Sequence, residues 1–237
     1  MTMKSRVLQS KTIRKLADSS RPLYRKFFPF TGLNGLDRRL IEHIGTEPGT
    51  FIEAGANDGL KQSNTYYLES RCGWRGLLVE PVPRLAAKCE RSRRNSIVMN
   101  SALVAPSSAG EEISLVDVDL MTVVEGAQGT TLAEQSHIAA AEEIQGITRS
   151  RITVRGQTLS QLIDDAKLHE ITLLSLDVEG YELEALKGLE FSRHAPKWIL
   201  VETSRPDEVT QYLSEHYVVH DKLSIHDWLF RKRNTTK

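Results

Sequence analysis

The chain has 237 residues, 40% of them hydrophobic, with 31 basic and 31 acidic side chains and a formal net charge of zero. That is enough chain for one α/β domain with a proper core, and too little positive charge for a nucleic-acid binder. No run is apolar enough to span a membrane or to act as a secretory signal, and two cysteines without a CxxC pair, Cys72 and Cys89, fit free thiols in a cytoplasmic, reducing setting.

The neutral total hides an asymmetry. Residues 1–28 hold Lys4, Arg6, Lys11, Arg14, Lys15, Arg21, Arg25 and Lys26 against Asp18 alone. Residues 1–30 read as a basic arm: a solvated extension, a weak contact with an anionic surface, or an organelle transit segment. Phe27, Phe28 and Phe30 form an apolar patch that can dock it. Residues 31–237 read as one domain, with an insertion at about 105–156. Leu36, Leu40, Ile41 and Ile44 recur at helical spacing before Gly45, Pro48 and Gly49 break the pattern.

Strands and helices then alternate. Residues 50–54 read as a buried strand. Residues 64–71 read as a helix capped by Ser63 or Asn64 and stopped by Gly73. A strand at 76–79, a helix at 83–91 opened by Pro83, and a strand at 97–99 follow. Residues 113–118 and 152–154 are extra strands. They flank a polar stretch, 119–150, with Gly126, Gly129, Thr130, Thr131 and a short helix at 137–144. That stretch is either a substrate lid or a surface excursion. A strongly apolar strand at 171–176 leads into a helix presenting Leu183, Leu186 and Leu189. A strand at 198–201 and a hairpin of 216–220 with 228–231 complete the chain. The pattern predicts an α/β fold: a mostly parallel sheet with helices on both faces and an antiparallel C-terminal edge.

Chemistry gathers at strand ends. Residues 51–59, FIEAGANDG, run a strand into a glycine turn. Gly55 and Gly59 allow close backbone approach to a ligand, Asn57 can take a left-handed conformation, and Glu53 supplies a carboxylate. The spacing is neither G-x-G-x-x-G nor a P-loop. Glu80 ends the next strand, where an acid can accept from both hydroxyls of a ribose. Asp177 and Glu179 end the 171–176 strand. Asp177 can hold a substrate or act as its base; Glu179 can assist, or cap the following helix. Glu202 ends the next strand. The three acids could hold Mg²⁺ by oxygen ligation, but no histidine shows metal-ligand spacing and no metal is assigned. A dehydrogenase is disfavoured, because Tyr181 is followed four positions on by Ala185 rather than Lys.

FIEAGANDG, the LLVEP at 77–81, TLSQLIDD at 158–165, LLSLDVEGYELEALKG at 173–188 and WILVE at 198–202 together resemble the FkbM family of methyltransferases. SNTYYLESRCGWRGLLVEP at 63–81 is similar to a subgroup that includes relatives of Star-like proteins. The resemblance spans roughly 36–231. It implies a class I Rossmann-like fold, S-adenosylmethionine as cofactor, and O-methylation of a sugar, glycan or natural-product hydroxyl. By position, Glu53, Gly55, Ala56, Asn57 and Gly59 would line the methionine end of the cofactor, with Ser63 beyond them. Glu80 and Pro81 would hold the ribose, and Ser101 and Ala102 would lie near the adenine. Asp177, with Glu179, would face the methyl-transfer centre. The Star-like similarity also raises a non-catalytic binding or trafficking module.

Overall fold

The computed structural model describes residues 29–117, 123–124 and 150–234. The expectations for residues 1–28, for the helix at 137–144 and for most of the 119–150 stretch lie outside the described residues. In chain order the elements are α1 (Leu36–Ile44), β1 (Thr50–Ala54), α2 (Tyr66–Cys72), β2 (Arg75–Val79), α3 (Pro83–Ser92), β3 (Ile97–Met99), β4 (Ala102–Leu103), β5 (Glu112–Asp117), β6 (Val123–Val124) and β7 (Ser150–Gln157). They continue with α4 (Leu159–Asp165), β8 (Leu173–Leu176), α5 (Glu182–Lys187), α6 (Phe191–His194), β9 (Trp198–Glu202), α7 (Pro206–Leu213), β10 (Tyr217–Lys222) and β11 (Asp227–Lys232).

The main sheet has seven strands in the order β10-β11-β9-β8-β1-β2-β3. β3, β2, β1, β8 and β9 are parallel, and β11 and β10 close the edge antiparallel. This is the mostly parallel α/β sheet with an antiparallel C-terminal edge that the sequence pattern predicts, and the Rossmann-like order that the family resemblance implies. The central strands are buried on both faces, which is why they read as continuous apolar runs. Alternate residues serve opposite layers. Ile52, Ala54, Leu77, Leu174 and Ile199 pack with Leu162, Ile163, Leu186 and Leu213 from α4, α5 and α7. Phe51, Leu78, Leu173 and Leu200 pack with Leu36, Leu40, Leu68 and Cys89 from α1, α2 and α3.

The chain turns one way from β1 to β3 and the other from β8 to β9, so the topological switch lies between β1 and β8. In open α/β sheets ligands bind at that crevice, outside the carboxyl ends of the strands. A second sheet, β4-β7-β5-β6, stands beside it. Its longest pairing, β5 with β7, runs from Glu112↔Arg155 to Asp117↔Ser150. The ends of the predicted insertion are thus ordered strands. Arg84, in the first turn of α3, pins this sheet with two hydrogen bonds to Asp117, at 3.0 and 2.7 Å.

Two local expectations shift. The helix expected from residue 64 begins at Tyr66. The Asn64 N–H is drawn to Glu53 Oε1 at 2.8 Å, while Ser63 Oγ accepts from the Tyr66 N–H at 3.1 Å. After β8, the buried face of α5 is Glu182, Ala185 and Leu186, continuing to Leu189, and Leu183 falls beside it. The helix ends at Lys187, before Leu189, so the 183/186/189 spacing does not define its inner face.

Candidate functional site

The turn after β1 is built from backbone contacts. The N–H groups of Gly55 and Ala56 both donate to Val79 O, at 3.0 and 3.1 Å. Gly55 has φ +82°, and a Cβ there would stand 1.8 Å from Asp177 O. Its glycine is therefore dictated by the neighbouring end of β8, in addition to any ligand. Asn57 takes φ +49°, the left-handed conformation expected of it. Its N–H donates to Glu80 Oε2 at 2.7 Å, which ties the turn to the end of β2. Gly59 also has positive φ, but a Cβ there would meet Arg93 Cγ at 2.7 Å and Cys89 Sγ at 2.9 Å. It serves the packing of α3, not the cleft.

Glu53 sits in a buried network that its sequence position does not announce. Its Oε2 accepts from Ser63 Oγ at 2.8 Å, Thr65 Oγ1 at 2.7 Å and Arg93 Nη1 at 3.2 Å. Arg93 is wholly buried. It also donates to Glu69 Oε2 at 2.7 Å, Gly59 O at 3.0 Å and Thr65 Oγ1 at 2.8 Å. One guanidinium thus holds two carboxylates and the 63–65 turn in fixed geometry.

Glu80 is buried, and its two oxygens accept from the N–H groups of Asn57 and Val82, at 2.7 and 2.8 Å. Burial raises its pKa to about 7, against the opposing pull of those two hydrogen bonds. A cleft opens at these strand ends, enclosing about 930 Å³ of atom-free space, the open mouth included. Glu53, Gly55, Ala56, Asn57, Ser63, Glu80, Pro81, Ser101 and Ala102 line it, as do Asp177 and Glu179; of the sequence-selected residues Gly59 and Glu202 do not. Leu115 of β5 adds a wall from the second sheet. Ser101 is fixed by its hydroxyl, which donates to Arg155 O at 3.0 Å.

Asp177 is half-buried at the end of β8 and lines the cleft. Burial, with the neighbouring charges of Glu179, Glu202, Glu182 and Asp227, holds its pKa well above the usual carboxylate range. Burial and the charges of Glu202 and Glu182 raise Glu179 to about 8. Burial also raises Glu202, partly offset by a hydrogen bond from Asp177. Asp177 and Glu179 lie at the junction with a second recess, lined also by Glu182, Glu202 and the exposed His226. The acids therefore form one proton-retaining group. Glu179 stands before the helix, with φ +53°, and does not cap it: the N-cap is Tyr181 with no side-chain cap hydrogen bond, while Glu182 Oε1 accepts from the Gly180 N–H at 2.7 Å. Among the described residues no group of His, Cys, Asp and Glu could hold a metal ion.

Sequence reading missed Arg93, Glu69, Thr65, Asn64 and Ser175. The last two line the cleft, with Asn64 Nδ2 donating to Ser175 Oγ at 3.2 Å. Among the described residues no helix is long and apolar enough to cross a membrane.

In sequence, the chain resembles known methyltransferases. Residues 53–231 match the methyltransferase FkbM domain. Over 85 residues the chain is 31% identical to the hexuronic acid methyltransferase AglP of Haloferax volcanii, a match covering 35% of this chain and 36% of that relative's length. Among solved structures, a TehB-like SAM-dependent methyltransferase from Corynebacterium glutamicum aligns with a TM-score of 0.44 and 10% identity, over 93% of this chain and 100% of that one. A SAM-dependent methyltransferase from Aquifex aeolicus aligns with a TM-score of 0.37 and 12% identity, over 93% and 94%.

Proposed function

This chain belongs to the FkbM methyltransferase family, and from that premise we propose that residues 31–237 form one domain that transfers a methyl group from S-adenosylmethionine to a hydroxyl of a sugar, glycan or natural product. The observation that carries the reading is Glu80. Its carboxylate is clamped to the β1 turn at the switch-point cleft. Each oxygen takes one backbone N–H, leaving each a lone pair to receive one of two adjacent ribose hydroxyls. The donor set fits a nucleoside cofactor, with Ser101 and Ala102 toward the base and the 53–57 turn toward the amino-acid end.

S-adenosylmethionine supplies an electrophilic methyl on a good leaving group. The chain then has to align acceptor and donor, an effect worth about 7–11 kcal/mol. Asp177, on the floor where the cleft meets the second recess, takes the acceptor's hydroxyl proton. Glu179 and Glu202 share the proton load and raise the basicity of the group. The AglP match supports a carbohydrate acceptor. The carboxyl-rich second recess favours a neutral acceptor there over an anionic one.

Calorimetry with S-adenosylhomocysteine tests the cofactor assignment. Wild type binds, and Glu80→Gln weakens binding about 10- to 100-fold, as expected for a lost charged hydrogen-bond acceptor. Unchanged affinity in Glu80→Gln sinks the assignment of Glu80. Transfer of labelled methyl groups to a panel of neutral sugars then tests the acceptor class.

A further inference from the structure

We propose that residues 30–37 form a strap that holds the 61–63 wall of the cleft in its ligand-binding position, with Thr31 as the positioning residue; the proposal rests on the S-adenosylmethionine reading above. The strap lies N-terminal to the residues that match the family domain, 53–231. Lys61, Gln62 and Ser63 line the cleft, and two contacts from the strap reach that stretch. Gly32 pairs with Gln62 in a parallel β-bridge, and Thr31 Oγ1 donates to Ser63 O at 2.9 Å. The strap is itself fixed at both ends. Phe30 stacks on Tyr67 of α2, with ring centroids 4.1 Å apart and planes 9° apart, and the Arg38 guanidinium carbon lies 4.4 Å from the Phe30 centroid. Asp37, in the first turn of α1, is wholly buried, and its Oδ2 accepts from the N–H groups of Thr31 and Gly32 at 2.7 and 2.9 Å. Hydrogen bonds to a carboxylate are shorter and stronger than neutral ones. Gly32 permits the approach, because a Cβ there would stand 2.6 Å from the Asp37 nitrogen.

Gln62 shows why this wall needs holding. It has φ +55°, a left-handed conformation that glutamine rarely adopts and that persists where the surroundings over-determine it. The strap constrains it from one side. From the other, Ser63 Oγ donates to the buried Glu53 Oε2 at 2.8 Å. On the cofactor reading, the wall faces the amino-acid end, since Ser63 lies against Glu53 of β1 while Glu80, after β2, takes the ribose. A wall fixed before the ligand arrives spares binding the cost of ordering it. Loosening the strap moves that cost into the affinity for the amino-acid end and leaves the nucleoside end alone.

The test compares S-adenosylhomocysteine with 5′-methylthioadenosine, which keeps the adenosine thioether and lacks the amino-acid end. Thr31→Val keeps the side-chain shape and removes the hydroxyl donor; Thr31→Ser keeps the donor. By calorimetry well below the melting transition, Thr31→Val weakens S-adenosylhomocysteine about 3- to 10-fold, the worth of one partly exposed hydrogen bond, and leaves methylthioadenosine unchanged. Thr31→Ser binds both compounds as wild type does. A Thr31→Val protein that melts earlier but binds S-adenosylhomocysteine within about twofold of wild type has a strap that only stabilises the fold, and the proposal is overturned. Equal losses for both ligands overturn it while leaving the cofactor site standing, as do equal losses in Thr31→Ser and Thr31→Val. If wild type binds neither compound, the cofactor reading fails and this proposal falls with it.

Discussion

Arg93→Met removes the cation at the centre of the Glu53–Glu69 network without emptying the space it fills. In wild type the guanidinium reaches Glu69 Oε2 at 2.7 Å, Thr65 Oγ1 at 2.8 Å, Gly59 O at 3.0 Å, Ser63 Oγ at 3.1 Å and Glu53 Oε2 at 3.2 Å. Both carboxylates are buried, Glu53 at 5% and Glu69 at 8% exposure, so neither can recover the charge interaction from water. Breaking a buried pair by removing one partner costs about 3–5 kcal/mol. In a protein of this size each kcal/mol moves Tm by about 2–4 °C, so the expected fall is roughly 6–20 °C. Thermal unfolding by circular dichroism reads it. Adding Glu69→Gln to Arg93→Met removes one stranded charge and restores part of the loss. A fall of less than about 3 °C refutes the reasoning, and so does a double variant less stable than Arg93→Met alone.

Asp177→Asn keeps S-adenosylhomocysteine affinity within a few-fold and lowers kcat by about 10²–10⁴, the usual worth of a positioned base; wild-type-like turnover with intact binding removes Asp177 from that role. In wild type kcat rises with pH toward about 8, because the carboxyls at the floor hold protons that must leave before one of them can accept another. A flat profile from pH 6 to 9 counts against them. The cofactor-free protein shows the opposite trend in stability. Glu80 and Glu179 have pKa values of about 7 and 8 in the fold, raised by burial above the ordinary 4.5, so the folded state binds more protons between those values. Stability from these groups is full below about 4.5 and is lost as pH rises through about 7 to 8. Melting curves fall across that interval in wild type and fall less in Glu179→Gln; equal slopes exclude Glu179 as a contributor.

The parts of the site that could be read from sequence share one property: they interrupt a pattern. Gly55, Asn57, Glu80 and Asp177 stand where apolar strands stop, and polar residues at strand ends have no packing reason to be there. The turn chemistry of Asn57 was legible for the same reason, since few residues tolerate positive φ. Arg93 was not legible, because it lies in RSRRN, a run whose composition is that of a solvated helix end. Only tertiary packing shows that Arg93, just past the end of α3, turns inward under the β1 turn. Asn64 was read as a helix cap, since Ser and Asn before a periodic stretch signal a start. Its neighbour Glu53 overrides that signal by taking the Asn64 N–H. Gly59 is the converse case. Its glycine looked ligand-driven but answers to Cys89 and Arg93, contacts that lie 30 or more positions away in sequence.

The carboxyl group at the floor also couples binding to protons, and that coupling reports where the transferred methyl sits. Asp177 is held above its usual range first by burial and then by its acidic neighbours, and Glu179 beside it is raised to about 8, so protons are held at this group near neutral pH. A cation brought beside it favours the ionised form and drives a proton out. S-adenosylmethionine carries a sulfonium charge that S-adenosylhomocysteine lacks, while the two share every other charged group. The difference between them in proton release therefore isolates the sulfonium's neighbours. Calorimetry in two buffers of unlike ionisation heat should give up to about one more proton released by S-adenosylmethionine, with the excess reduced in Asp177→Asn. Equal release by the two ligands places the sulfonium away from Asp177 and refutes its assignment to the methyl-transfer centre, whatever the affinity of either ligand.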